Sequence, residues 1–552
     1  GQKTVFRGSY STIVYDEGTQ FFAATLGGNA GKTIGATQLI PGTPGATNLP
    51  AFYTLSDIVA NPLTVSNFAF SSTEYKKTIN QADQTFVRTI AGFDPNLRAP
   101  YTQNYSFGIQ RELWKNTSIE VRYVGTQSRL SWRTSNLNEV NIFENGFLTE
   151  FKNAQRNLQI NQAAGVASFQ NLGRAGQVNT PIFDAAFGAR GGLAAIAAGS
   201  GYASTAFITN LQNGEAGALA NTLATNQNYV CRMFGNSFSP CARVLPTANV
   251  AGAYPINFFL LNPFVAGRLN YVDNGGWHGY NGMQVQFRQR LGQGLNWNMN
   301  YTLSKSLTNL AADGQNQNLD YVTLRDPGLN KRISQFDIRH VIQTFGTYEL
   351  PIGRGKALAL NNNLLDNLFG GWTVGNVLVF NTGQPIQLSG GFATVNNSNN
   401  PTINGVRLAP GVTLAQIQKL FDAPLTRLTG RAGITDLQRL AVDPSLIGPD
   451  GRANPAFLLP NTTPGEFGDL LFLRDKNTFQ WDASVTKSFR ITEKTRFELF
   501  AGFNNLLNHP RWSFSDTQAN VPGALNVFST SFGIIGAPAG NRSINLRGTL
   551  SF

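Results

Sequence analysis

Long apolar runs are missing from these 552 residues. A helix that crosses a bilayer needs about 20 consecutive apolar residues. The nearest candidate, 191–198 (GGLAAIAA), is too short and too rich in Gly and Ala, so helical spans are excluded. Charge is also scarce: Asp, Glu, Lys and Arg make up 13% of the chain, about half the usual share. The chain is nevertheless not oily, with a mean hydropathy of −0.16. Only three histidines occur, His278, His340 and His509. They lie far apart and lack metal-ligand spacing such as H-E-x-x-H. Neither a G-x-S-x-G elbow nor a P-loop is present, and carboxylates in the loops are scattered. An enzyme, a cofactor and a metal centre are therefore not expected. Basic runs interleaved with aromatics are lacking too. The net charge of +12 comes from singly placed Lys and Arg, which argues against nucleic acid. Cysteine is limited to Cys231 and Cys241, a close pair in a polar loop. One even pair suits a disulfide in an oxidising, extracytoplasmic compartment, with two isolated thiols as the alternative.

What is abundant is alternation. In 542–552 (RSINLRGTLSF), Ile544, Leu546, Leu550 and Phe552 point one way, and Ser543, Asn545, Arg547, Thr549 and Ser551 point the other. Such a strand has one oily and one wet face, and ending on Phe is unusual for a terminus exposed to water. Residues 101–113 repeat the pattern with Tyr101, Tyr105, Phe107, Ile109 and Leu113, and 118–127 with Ile119, Val121 and Tyr123. Met283, Val285, Phe287 and Leu291 alternate with Gln284, Gln286, Arg288 and Arg290. After Gly292-Gln-Gly294 the pattern returns, with Asn296, Asn298 and Asn300 on the wet side. Repeated Asn inside a strand disfavours a soluble sheet and is tolerated where that face lines water. Further strands are expected at 3–15, 337–350, 372–381, 479–490 and 495–505, with less regular candidates at 66–70 and 85–90. Short helices are expected in the loops at 150–163, 185–198 and 414–421.

The connections between the ten main strands alternate in length. Short turns fall at 114–116, 292–294 and 491–493, an intermediate one at 351–370, and long loops at about 16–100, 128–276, 306–336, 382–477 and 508–541. If the final Phe552 lies at the periplasmic end, every long loop falls outside. A soluble sheet has no reason to obey that parity. Low charge, two-faced strands and loop parity together indicate an all-β fold, an antiparallel transmembrane β-barrel of about ten strands with long extracellular loops carrying short helices. The outer membrane of a Gram-negative bacterium is the expected location. There the positive balance would meet anionic lipopolysaccharide or line the lumen.

Several blocks resemble one family: APYTQNYSFGIQREL with SIEVRYVGTQ, NGMQVQFRQRLGQGLNWNMNYTLSKSL, FDIRHVIQTFGTYELPIGRG, FGGWTVGNVLVFNTGQPI, WDASVTKSFRITEKTRFELFAGFNNLLNHPRWS and the terminal NRSINLRGTLSF. They are similar to the C-terminal barrel half of Oar-like TonB-dependent receptors, which carry a carboxypeptidase-regulatory-like N-terminal domain and are common in Acidobacteria. The match covers most strands from residue 101 onward and scarcely touches the loops. The resemblance implies a 22-stranded barrel with a plug, taking up a bulky nutrient with energy passed through TonB, and a terminal Phe552 read by the barrel-assembly machinery. The sequence departs from that pattern: plug, TonB box and regulatory-like domain are missing from 1–552. The expectation is therefore part of such a receptor, with TonB engaged only through a further N-terminal part. A structural or adhesive barrel displaying its loops, or a passive porin, are the alternatives.

On the lumen side Arg122, Arg288, Arg290, Asp482, Arg496, Glu498 and Arg547 are expected to form a mixed-charge wall that pairs across strands or bonds to a plug. Tyr101, Tyr123, Trp297, Tyr301, Trp372, Trp481 and Phe503 read as an interfacial girdle on the apolar face. Loop aromatics such as Trp132, Phe143, Phe147, Tyr254, Phe258 and Phe259 could stack on a ligand, but packing the loop is the plainer role.

Overall fold

The computed structural model describes residues 3–15, 87–114, 116–247, 249–291, 294–310, 322–360, 362–390, 392–396, 405–428, 438–492, 495–514 and 521–552. The candidate strand at 66–70, and most of the loop around it, lie outside these residues.

Among them one large sheet dominates. Its longer strands are β1 (Thr4–Val14), β2 (Val87–Phe93), β3 (Tyr101–Trp114), β4 (Thr117–Asn136), β5 (Val265–Leu291), β6 (Leu295–Thr308), β7 (His340–Glu349), β8 (Trp372–Asn381), β9 (Thr478–Arg490), β10 (Arg496–Asn504) and β11 (Ser543–Ser551), and a two-residue strand, Arg332–Ile333, pairs beside the end of β6. Of the longer strands, all except β2 follow one antiparallel path in chain order, with β1 at one edge and β11 at the other. No helix among the described residues is long and apolar enough to cross a membrane.

The register aligns the sequence alternation into continuous faces. One apolar row runs Phe6, Ile109, Val121, Val285, Tyr301, Ile342, Phe380 and Phe479 across eight strands. A second runs Leu295, Tyr348, Val374, Val485, Ala501 and Leu546 to the far edge. A one-residue slip anywhere would turn that strand's apolar set inward. On this face the Tyr123 hydroxyl donates to Asn281 Oδ1 at 2.7 Å, and the Tyr105 ring lies where a Cβ at Gly125 would be, 2.2 Å away. A larger residue there would displace the ring.

The β4–β5 hairpin is longer than alternation indicates. β5 has 27 residues, whereas about 9–11 suffice to cross a bilayer. The expected end at Gln127 is corrected to Asn136, and the loop becomes 137–264 rather than 128–276. The reason is a bulge: the register shifts between Ser128 and Ser131 and again before Arg133, with Leu130 at φ 57°. A bulge breaks the period-two pattern while pairing continues. Alongside this projecting part, β2 pairs in parallel with Val265–Val272 of β5, the one parallel pairing in the large sheet among the described residues.

The loops fold into two packed lobes. The first (137–264) holds α1 (Phe147–Ala163), α2 (Pro181–Phe187), α3 (Thr205–Gln212), α4 (Ala216–Thr225) and α5 (Gln227–Phe234). A helix over 185–198 is not formed. α2 begins at Pro181, which is suited to a first helical turn, and ends before Gly188, while Gly191 and Gly192 take φ of 56° and 83°. The lobe's core includes Phe147, Phe151, Phe169, Phe183, Phe234, Phe238 and Phe259, all fully buried. Cys231 and Cys241 are joined by a disulfide inside it, with Cα atoms 5.2 Å apart. Along α1 a polar stripe staples the following chain. Glu150 accepts from Ile182 N and Phe183 N at 3.0 and 2.8 Å. Asn157 exchanges two bonds with Val178, and Asn161 donates to Ser168 O and Gln170 O.

The second lobe draws on 384–474 and 511–539. It contains short ladders such as Pro385–Gln387 with Phe472–Arg474, and Val406–Leu408 with Leu458–Pro460. Its helix α7 (Leu414–Phe421), which follows α6 (Asn363–Phe369) in the chain, starts at a capping box. Thr413 accepts from Gln416 N, and Gln416 from Thr413 N. Ile386, Leu388, Val406, Ile417, Phe421, Phe514 and Phe532 form its core. The two lobes touch where Gly217 N and Ala218 N, at the start of α4, donate to Ala393 O. A third loop bridges them: Arg325 pairs with Glu144 of the first lobe, and Asn396 Nδ2 donates to Val322 O at 2.6 Å. The intermediate connection between β7 and β8 carries α6 (Asn363–Phe369) at the opposite, short-turn end.

Candidate functional site

The polar face of β6–β10 carries a concavity. Its central row reads Ser118, Arg288, Asn298, Phe345, Val377, Asp482 from β4 to β9. The expected wall residues Arg288 and Asp482 thus share a row, but three strands separate them, about 19 Å at the usual strand spacing. Between them a groove of about 490 Å³ is lined by Asn296, Asn298, Phe345, Thr347, Val377, Asp482, Phe500 and Asn504. At its outer end a second space of about 300 Å³ shares Asn504 and adds Asn381, Thr478, Gln480, Asn505, His509 and Arg511. A third, about 210 Å³, shares Asn381, Thr478 and Arg511 and reaches Asp475 and Lys476 under the second lobe. The three adjoin one another through these shared residues, from the second lobe down the polar face.

The chemistry of these cavities is mostly neutral. Amides supply donors and acceptors, and Phe345 and Phe500 supply ring surface. Asp482 is held in place by Gln480 Nε2, at 3.1 and 2.9 Å to its two oxygens, and by Asn505 N at 2.7 Å. Asn505 sits at φ 50°, a left-handed geometry that Asn tolerates. The Phe500 ring also receives the Arg547 guanidinium at 5.2 Å from its centroid. At the roof, Asp475 accepts from Ser513 Oγ and Phe514 N. Lys476 Nζ donates to Phe421 O and Ala423 O at the C-terminus of α7, and burial lowers its pKa.

Of the seven expected wall residues, Asp482 lines the groove and Arg547 reaches it through Phe500. The others are spread over the sheet. Arg122 donates from Nε and Nη2 to Gln284 Oε1 at 3.2 and 2.6 Å. Arg288 and Arg290 stand opposite Asn298 and Asn296. Arg496 lies opposite Ser551, whose hydroxyl donates to its carbonyl at 3.2 Å, and Glu498 lies between Ser488 and Thr549. Among the described residues none of the seven makes an ion pair; the pairs present lie in loops, in the β4–β5 projection and at the β7 end. Of the two expected arrangements, pairing across strands is not made among the described residues, and bonding to a plug is a proposal. Two of the seven bond to amide side chains instead, Arg122 to Gln284 and Asp482 to Gln480.

Phe345, Val377, Phe500 and Asn504 were not anticipated. The signal was present as apolar residues on the polar side of β7, β8 and β10, where alternation is weak. The histidines serve separate places: His340 Nδ1 is 2.9 Å from Tyr301 Oη, and His278 Nε2 is 3.1 Å from Ser306 Oγ. Among the loop aromatics, Phe147 and Phe259 meet edge to face in the first core, and Trp132 packs with Phe93.

An aligned apolar face, a polar inner face and long loops at one end define an outer-membrane β-barrel domain. The chain belongs to the outer membrane beta barrel domain family, whose model matches residues 1–188 and 202–545. Among solved structures it is similar to the outer membrane transporter YddB from Escherichia coli, at 8% identity and TM-score 0.33, over 85% of this chain and 35% of that one. It is also similar to the pyoverdine outer membrane receptor FpvA from Pseudomonas aeruginosa PAO1 bound to pyoverdine (9%, TM-score 0.27, 86% and 32%). A third is the ferric yersiniabactin uptake receptor FyuA from Yersinia pestis (7%, TM-score 0.26, 82% and 30%). The chain thus spans about a third of the length of these structures. No curated protein matches it.

Proposed function

We propose that this domain is the substrate-receiving part of an outer-membrane transporter of the TonB-dependent, Oar-like type, taking up a bulky nutrient. The observation that carries the reading is the series of three adjoining polar cavities that share Asn504, Asn381, Thr478 and Arg511 and extend from the polar face of the sheet to the second loop lobe. Family blocks from residue 101 onward support the same reading. The outer edges of β1 and β11 have no strand partner among the described residues, and lipid does not tolerate such edges. On this reading further strands complete the barrel, and a plug and its TonB contact lie outside these residues. Phe552 then serves as the terminal signal for the barrel-assembly machinery.

The test uses the natural full-length protein. Purified in detergent, it is titrated with panels of soluble oligosaccharides, peptides and ferric chelates, and any ligand found is followed into cells with and without TonB. Asn381→Ala with Asn504→Ala should weaken binding about tenfold, the loss of one or two hydrogen bonds, and uptake should cease without TonB. Steady conductance of the purified protein in planar bilayers would instead favour a passive porin. Unchanged uptake together with lost surface adhesion after gene deletion would favour a display barrel.

A further inference from the structure

The connection between β7 and β8 ends in a feature that barrel architecture alone does not require. Lys487 lies on the apolar face of β9: the register sets it beside Trp372 of β8 and Leu499 of β10, in line with Val485 and Phe489. A lysine facing lipid is costly, yet this one is only 3% exposed. Its Nζ donates to Gly370 O, at the C-terminus of α6. The rings of Phe489 and Trp372 stand 4.9 and 5.7 Å from the same nitrogen. A cation at the negative end of a helix is favourable, and aromatic faces add to it. A second tie comes from Trp372, whose Nε1 donates to Leu368 O at 3.1 Å. Both anchors belong to the membrane-facing side of the sheet, so α6 is fastened to that side at the short-turn end.

The opposite surface of α6 is apolar and bare. Leu364, Leu365, Leu368 and Phe369 are 81%, 44%, 59% and 51% exposed, and Leu358 of the preceding turn is 60% exposed. The polar groups turn elsewhere: the Asn362 side chain caps Leu364 N and Leu365 N, and Asp366 accepts from Arg354 N. Lys356 pairs with Glu349 at 2.9 Å. Apolar residues on the outer side of a helix fastened to the lipid-facing side continue that face beyond the strands.

We infer that α6 is an interfacial helix lying in the inner, phospholipid leaflet of the outer membrane, where it covers Lys487 and sets the depth of the barrel. Leu364, Leu368 and Phe369 enter the acyl region, and Arg354 and Lys356 sit in the turn at headgroup level. Interfacial helices of this kind bury their apolar side about 5–10 Å into that boundary.

The test places single cysteines, labelled with an environment-sensitive fluorophore, at Leu364 or Leu368 of the full-length protein. Cys231 and Cys241, being disulfide-bonded, do not take the label. In phosphatidylethanolamine–phosphatidylglycerol vesicles, brominated phospholipid should quench both labels strongly, bromine high on the acyl chain more than bromine near its end. A control label at exposed Leu172 of the first lobe should keep its emission. Leu364→Glu with Leu368→Glu should return a label at Leu365 to water-like emission while the heat-modifiable barrel band persists. Labels at Leu364 and Leu368 quenched no more than the Leu172 control would overturn the inference, as would crosslinking of either position to a second copy or another protein in native membranes.

Discussion

Glu150 is buried within the first lobe, on α1, with both carboxylate oxygens on the opening turn of α2. Burial raises its pKa to about 7, against the pull of those two backbone donors, and Asp184 nearby adds to the rise. The sign follows from linkage. An acid whose folded pKa exceeds its unfolded value contributes stability below the unfolded value, and loses it as pH rises through the folded one. The first lobe should therefore be more stable at pH 5 than at pH 8, most of the change falling between about 4.5 and 7. Glu150→Gln should flatten that slope. Protease resistance of the loop across this range measures it, and an unchanged slope in the variant would assign the pH dependence to other groups. Sequence alone could not single out this residue. It was legible as part of a loop helix, but its cost and its partners come from 32 residues further on, at Ile182 and Phe183. The same holds for Asp482, expected as wall charge from its alternation yet given a place only by Gln480 and Asn505.

At the scale of elements, alternation proved the most informative signal wherever a strand is regular. β8 spans Trp372–Asn381 and α7 spans Leu414–Phe421, as their patterns indicate. The departures have local causes: a bulge at the Ser128–Arg133 step of β4, and glycines with positive φ past α2. Faces make a sharp prediction here, since neighbouring residues of one strand meet different solvents. Val485→Arg in β9 faces lipid and should cost about 2–4 kcal/mol, whereas Thr486→Arg, on the polar face, should be tolerated. Folding yield into lipid, read from the heat-modifiable band, distinguishes them. Equal loss for both would mean that the polar face is packed against protein throughout β9. Weak alternation also had meaning: Phe345 and Val377 break the pattern because they line the groove rather than lipid.

For the whole molecule, the decisive contacts are between segments far apart in sequence. A Cβ at Gly217 would come within 2.5 Å of the Asn396 carbonyl oxygen and 2.6 Å of its nitrogen, where α4 meets the second lobe. Gly217→Val should part the lobes and expose 392–396 to protease without lowering the stability of the barrel band. Unaltered cleavage would show that the Arg325–Glu144 and Asn396–Val322 bridges hold the roof unaided. The sequence by itself determined the two-faced strands, their order and the end at which the long loops gather, because period-two burial and turn length are local properties. Only the tertiary structure decided that the loops are folded lobes with phenylalanine cores, that adjoining polar cavities lead from the polar face to the second of them, and that Lys487 is hidden by α6. Each of these depends on which distant residues meet, and pairing between strands and loops that are remote in the chain leaves no local pattern to read.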